Sequence, residues 1–235
     1  MGFNNEGAEA VAARLKNSLG RKKSRIPVGI NIGKSKVVPL DQAVDDYLSS
    51  FQLLAEYADY VTVNVSSPNT RDLRKLQEKD YLESLLGALC EANRNRARKL
   101  GVKPTPLLIK IAPDLTFREI DCILEVIERC QLDGIVATNT TTSRPECTVG
   151  AKQTGGLSGR PLHALALSVV NYISRATSGK LPIIGVGGIS SPETAGAMVD
   201  NGAWLVQVYT GMVYGGPFIA KPLARSLAPR QSSWV

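Results

Sequence analysis

The sequence is poor in the residues that build metal centres and nucleophile–base pairs. It holds one histidine, His163, and four cysteines, Cys90, Cys122, Cys130 and Cys147. No two of the cysteines form a Cys-x-x-Cys pair, so a Cys/His zinc site is excluded and no metal is expected. Thiols this scattered read as reduced side chains in a reducing compartment. His163 follows Pro161 in a helical stretch away from the strand ends, so it reads as a packing or surface residue. No Ser-His-Asp arrangement can be assembled around it. Long apolar runs are missing too: nothing approaches the ~18 residues of a membrane span, and no signal peptide is visible. Aromatic residues make up only 6% of the chain, and none is interleaved with the basic clusters Arg21-Lys22-Lys23, Arg25 and 94–99. The formal charge of +7 therefore reads as a solvated face and not as a nucleic-acid surface, with an anionic membrane surface as the alternative. A dinucleotide fingerprint is also incomplete. In Gly185-Val186-Gly187-Gly188-Ile189-Ser190 a serine stands where the third glycine belongs.

What is present is an ordinary globular composition. The 235 residues are 43% hydrophobic and 21% charged, enough to bury one core, and a single domain over 1–235 is expected. Apolar strands alternate with amphipathic helices. Strands are expected at 27–33, 59–65, 107–111, 134–138, 183–186 and 205–209. Helices are expected at 41–56, 78–99, 117–130, 161–177 and 192–201, with a last one from Pro217. Ala43, Tyr47, Phe51 and Leu54 share one helix side, and Thr116 caps the helix that opens at Phe117. Strands apolar throughout, separated by helices, imply a parallel sheet covered on both faces.

Two α/β architectures compete. A doubly wound sheet concentrates its site at one switch point, whereas a (β/α)8 TIM barrel collects polar groups from the ends of many strands. The barrel fits better, because every strand end here is polar or glycine-rich. The ends carry Asn31, then 64–70 (Asn-Val-Ser-Ser-Pro-Asn-Thr), Lys110, Thr138-Asn139-Thr140, Gly187-Gly188 and Tyr209-Thr210-Gly211. About six β-α units can be counted.

Lys110 sits inside an apolar strand, where a lysine needs a partner. Facing inward, it could stabilise negative charge on a reduced cofactor or an enolate-like intermediate. The last two tips, Gly187-Gly188 and Tyr209-Thr210-Gly211, fit the phosphate position of such barrels, and 154–159 adds further glycines. A serine such as Ser67 can act as a base only with a hydrogen-bonded relay, to which Thr70 could belong.

Taken in order, Asn64-Val-Ser-Ser-Pro-Asn-Thr70, Lys110-Ile-Ala-Pro-Asp114, Thr138-Asn-Thr-Thr141, Gly155-Gly-Leu-Ser-Gly159, Ile184-Gly-Val-Gly-Gly188 and Val206-Gln-Val-Tyr-Thr210 resemble dihydroorotate dehydrogenases. The resemblance runs from the first residues to about 224. Serine at position 67 resembles the class 2, quinone-linked branch, since class 1 enzymes carry cysteine there. The resemblance implies an FMN-containing barrel that oxidises dihydroorotate to orotate in de novo pyrimidine (UMP) synthesis, with a membrane quinone as electron acceptor. It implies Ser67 as the base, with Thr70 and Phe3 near its proton path. Asn64, Asn69, Asn139, Thr140 and Phe3 would hold the substrate. Asn31, Asn64, Lys110, Thr138, Ser158, Gly159, Gly187, Gly188, Tyr209 and Thr210 would contact FMN.

The resemblance also implies a shortened member of the family. The first two strands and the amphipathic N-terminal extension, which forms the quinone tunnel, would fall outside the chain. Peripheral membrane contact, at the bacterial cytoplasmic face or the mitochondrial inner membrane, would be made by that extension. The chain alone would be soluble, and weak or inactive in turnover. The alternatives are a non-catalytic FMN-binding barrel and a related flavin barrel acting on another pyrimidine. Proteins of the latter kind usually carry cysteine where Ser67 stands.

Overall fold

The computed structural model describes residues 4–19, 26–70, 72–144 and 154–231. Phe3, Cys147, Arg21, Lys22, Lys23 and Arg25, each part of an expectation above, lie outside them. The elements alternate along the chain: α1 (Ala8–Leu19), β1 (Gly29–Gly33), α2 (Ala43–Leu54), β2 (Tyr60–Asn64), α3 (Lys79–Leu100), β3 (Leu107–Ile111), α4 (Phe117–Cys130), β4 (Gly134–Ala137), α5 (His163–Ala176), β5 (Ile183–Val186), α6 (Pro192–Asp200), β6 (Leu205–Gln207), α7 (Thr210–Gly215) and α8 (Ala220–Gln231). The strands form a six-stranded sheet in the order β1-β2-β3-β4-β5-β6. The pairs β1–β2, β4–β5 and β5–β6 are parallel. Sequential order is the arrangement of a (β/α)8 barrel; a doubly wound sheet would show a reversal in strand order. The fold is therefore α/β of the TIM-barrel class, with six β-α units present.

Two compact units are distinguished, Met1–Ile109 with Cys122–Asp133, and Lys110–Asp121 with Gly134–Val235. In the first, α2 buries Ala43, Tyr47, Phe51 and Leu54, the side picked out by periodicity. α3 buries Leu82, Leu85, Leu86, Leu89, Cys90, Asn93 and Ala97, a stripe at helical spacing. Gly101 ends it in the left-handed conformation at φ 63°, which glycine adopts without steric cost. The buried Asn93 is satisfied at both ends of its amide. Nδ2 donates to the Thr105 carbonyl at 2.7 Å, and Oδ1 accepts from the Thr105 N–H at 3.0 Å. The strand that follows is thereby fixed to the helix that precedes it.

Aspartates standing just before strands help set the register. The Asp59 carboxylate accepts from the Val28 N–H at 2.8 Å, and the Asp133 carboxylate from the Leu107 N–H at 2.8 Å. Each carboxylate precedes one strand and holds the start of its neighbour. β2 is nearly all buried and β4 wholly so, as expected of strands covered on both faces. β1 alternates exposed and buried residues, and β6 is partly exposed throughout. These are the two ends of the strand order.

Thr116 caps α4 as expected. Its Oγ1 accepts from the Glu119 N–H at 3.3 Å, while the Glu119 carboxylate accepts from the Thr116 N–H at 2.7 Å, a reciprocal capping box. Two helices escaped the periodicity reading. α1 takes much of its apolar content from alanine, which blurs its stripe, and α7 is one short stretch holding two glycines. The strand expected at 205–209 stops at Gln207, because the Tyr209 carbonyl already accepts from the N–H groups of Met212 and Val213.

Candidate active site

In the first unit the chain leaves β2 through buried polar residues. Asn64 is 1% exposed, Ser67 2% and Thr70 8%. Tyr47, fully buried on α2, donates its hydroxyl to the Asn64 carbonyl at 2.7 Å, and burial raises its pKa above the ordinary phenol value. The Asn64 Oδ1 accepts from the Ser66 N–H at 3.1 Å and the Ser66 hydroxyl at 3.0 Å. This local turn stiffens the exit. Arg74 Nε donates to the Ser66 carbonyl at 3.3 Å. Ser67 Oγ accepts from the Asn69 N–H at 3.3 Å. The Ser67 contact thus runs to Asn69 and not to Thr70.

Asn31 lies on β1, exposed and paired in register with Thr62. A cavity of about 650 Å³ is lined by Asn31, Lys34, Ser35, Asn69 and Thr70, with Val11, Leu15, Val28, Ile30 and Ile32 among its apolar walls. Lys34, 6% exposed, was not among the expected site residues. Its Nζ donates to the carbonyls of Ser35 and Val38. The signal was available, since a lysine directly after a strand resembles the case made for Lys110.

In the second unit Lys110 is partly buried, and its ammonium makes no ion pair or hydrogen bond among the described residues. Burial holds its pKa below the ordinary lysine value. At the end of β4, Thr138 N–H donates to the Val186 carbonyl at 2.8 Å and Asn139 N–H to the Ile111 carbonyl at 2.8 Å. The Asn139 Oδ1 accepts from the Thr140 N–H at 2.8 Å. Thr138 is thus tied to the β5 end and Asn139 to the β3 end, with Thr140 bonded to the Asn139 side chain.

A second group gathers Ser158, Gly159, His163, Gly188 and Thr210. The Thr210 hydroxyl donates to Ser158 Oγ at 3.1 Å. A Cβ on Gly159 would lie 3.2 Å from Thr210 Cγ2, and one on Gly188 would lie 2.8 Å from the Gly159 carbonyl oxygen. Gly187 and Gly188 have φ values of 147° and 66°. A Cβ on Gly187 would meet Ala166 at 2.6 Å, so α5 packs where side chains would otherwise stand. His163 is not remote from the strand ends as expected. It opens α5, and its Nδ1 donates to the Gly187 carbonyl at 2.9 Å. Tyr209 is 62% exposed, just before α7.

No group of three or more His, Cys, Asp or Glu side chains is placed to hold a metal among the described residues. No helix among them is long and apolar enough to cross a membrane. Chemically, the first unit offers a buried hydroxyl that receives an N–H bond. The second offers a partly buried cation and a cluster of close-packed glycines beside the Ser158 and Thr210 hydroxyls.

Comparisons with known proteins agree with this layout. The family model for dihydroorotate dehydrogenase matches residues 1–230. A curated relative from Chloroflexus aurantiacus, named dihydroorotate dehydrogenase (quinone), is 49% identical over 231 residues, covering 97% of this chain and 63% of that protein. One from Gloeobacter violaceus with the same name is 48% identical, covering 98% of this chain and 62% of that protein. The chain thus spans somewhat under two thirds of the length of these relatives. The crystal structure of DHODH in complex with ferulenol from Eimeria tenella superposes with a TM-score of 0.88 at 36% identity, covering 99% of this chain and 66% of that one. The strand-end motifs, the sequential sheet and the match over residues 1–230 together show that the chain belongs to the dihydroorotate dehydrogenase family.

Proposed function

We propose that this chain carries strand-end residues of a quinone-linked dihydroorotate dehydrogenase, which oxidises dihydroorotate to orotate in pyrimidine synthesis. The observation that carries the reading is Ser67. Its hydroxyl is buried, and its Oγ receives the Asn69 N–H. A donor aimed at that oxygen stabilises the negative charge it gains when it surrenders its own proton, so more of the alkoxide is available to act as the base.

FMN is the cofactor this reading requires, and the residues fit it. Lys110 is a cation without a counter-charge among the described residues, its charged form disfavoured by burial. Such a group suits the electron-rich edge of a flavin ring. Backbone N–H groups of Gly159, Gly187 and Gly188 and the hydroxyls of Ser158 and Thr210, which lie 3.1 Å apart, would take the phosphate. Asn31, Asn64, Thr138 and Tyr209 complete the proposed flavin contacts. When bound, FMN supplies the two-electron acceptor for hydride removal from the substrate ring.

The chain's own residues do the remaining work. Ser67 Oγ takes the proton from the ring carbon next to the one that loses hydride, so a carbon–carbon double bond forms between them. Thr70, on the same turn and lining the cavity, would pass the proton outward. Asn64, Asn69, Asn139 and Thr140 would hold the substrate's amide and carboxylate groups, and Lys110 would stabilise negative charge on the reduced cofactor. A quinone is the proposed terminal acceptor, which places the whole protein at a membrane surface.

The test is direct. The purified chain is loaded with FMN and given dihydroorotate and a quinone analogue, and orotate is quantified. FMN retention with orotate formation supports the reading. Retention without any flavin reduction by dihydroorotate would make the chain a binding module instead.

A further inference from the structure

Asp114 ends the Lys110-Ile-Ala-Pro-Asp stretch and has no role in the proposed chemistry, yet it is densely bonded. Its carboxylate accepts from the Thr141 hydroxyl, from the Thr142 N–H at 3.1 Å and from the Thr142 hydroxyl at 3.4 Å. Thr141 is 3% exposed and sits at a crossing of segments. Its N–H donates to the Leu157 carbonyl at 3.1 Å, and the Leu157 N–H donates back to the Thr141 carbonyl at 2.8 Å, an antiparallel bridge. Its Oγ1 also accepts from the Ser143 N–H at 2.9 Å. Arg144 closes the knot by donating to the Thr141 carbonyl at 3.1 Å and to the Gly155 carbonyl.

Three segments therefore meet at Thr141: the stretch after β3, the stretch after β4, and the one that leads into Ser158 and Gly159. Asn139 and Thr140 immediately precede this knot. Ser158 and Gly159 immediately follow Leu157. We propose that Asp114 and Thr141 are a positioning pair that fixes Asn139 and Thr140 against the Leu157–Gly159 stretch. That the positioned residues serve orotate and dihydroorotate rests on the function proposed above. The pair touches neither ligand in that reading. It acts by holding the backbone that does, and a charged acceptor receiving several donors is the strong form of such a hold.

The inference predicts a selective effect. Asp114→Asn keeps the shape but turns one acceptor oxygen into a donor that faces other donors. Thr141→Val removes the hydroxyl at constant volume, and Thr141→Ser restores it. Both disruptive variants should weaken orotate binding by about tenfold, the scale of losing one well-made charge-assisted bond, and raise KM for dihydroorotate more than they lower kcat. FMN affinity should fall as well, because Ser158 and Gly159 directly follow the other half of the bridge, and Thr141→Ser should recover most of both losses. Amide exchange is read in parallel on the ligand-free chain. Thr142 and Leu157 should exchange faster in Asp114→Asn, with the amides of β4 and β5 unchanged.

Exchange at Thr142 and Leu157 that stays at the unsubstituted rate overturns the pairing, whatever the ligands do. Faster exchange with unaltered orotate affinity overturns the positioning role while leaving the proposed function intact. An unsubstituted chain that fails to bind orotate counts against the proposed function, and the exchange data still decide whether the pair holds the segments together. If Asp114→Asn does not fold, the Thr141→Val and Thr141→Ser pair gives the same two readouts.

Discussion

Lys110 carries its charge at a cost to the folded chain. Burial disfavours the ammonium, so its folded-state pKa lies below that of the unfolded chain. Between those two values the unfolded chain holds more protons, and stability rises with pH through that alkaline window. Below that window the penalty is present in full. Lys110→Met should therefore stabilise the ligand-free chain by roughly 1 kcal/mol and at the same time weaken FMN binding. Thermal unfolding with and without FMN checks this. A lower Tm in the ligand-free variant would show that the lysine is already paired. Ser67 and Lys110 were legible because each breaks a local pattern, a hydroxyl in a buried exit and a cation in an apolar strand. Lys34 and His163 were not singled out for the site. Both contact backbone carbonyls; such a partner leaves no trace in side-chain identity for His163, while Lys34 could have been picked out only by its place directly after a strand.

At the scale of elements, periodicity carried most of the information. The buried faces of α2 and α3 are large apolar side chains at helical spacing, and β3 and β5 are short, mostly apolar runs, each directly preceded by a proline. α1 and α7 lacked that contrast, and so did the joins between elements. The Asp114–Thr141–Leu157 knot is made by groups far apart in sequence, which no local pattern encodes. The α4 cap is a local device and was legible. Thr116→Ala removes the hydroxyl of an exposed capping box and should cost about 1 kcal/mol. Urea unfolding checks this, with the expectation of a lower midpoint and an unchanged slope. A loss near zero would mean that Glu119 alone satisfies the first turn.

For the molecule as a whole, the barrel order was read from the polar or glycine-rich ends of the strands, and the sequential sheet agrees with it. The partly exposed ends of that order, β1 and β6, were not legible, because strand position within a sheet is a tertiary property. Around β6, Leu205 is 55% exposed, and Val213, Tyr214 and Phe218 nearby in sequence are exposed at 61%, 88% and 84%. An apolar edge strand invites pairing with another chain. The purified chain is expected to self-associate as concentration rises, and Leu205→Lys should reduce that tendency, read by light scattering. Equal scattering from both would place the sticky surface elsewhere.

The central claim is that Ser67 removes the substrate proton, and rapid-mixing spectroscopy of the flavin tests it most directly. The FMN-loaded chain and its Ser67→Ala variant are mixed with dihydroorotate without oxygen, and loss of the flavin's visible absorption is followed. The account predicts that both bind FMN alike. It also predicts that the variant is reduced on the order of 10²–10⁴ times more slowly, the contribution expected of a positioned general base. Reduction of the variant at the unsubstituted rate would contradict it.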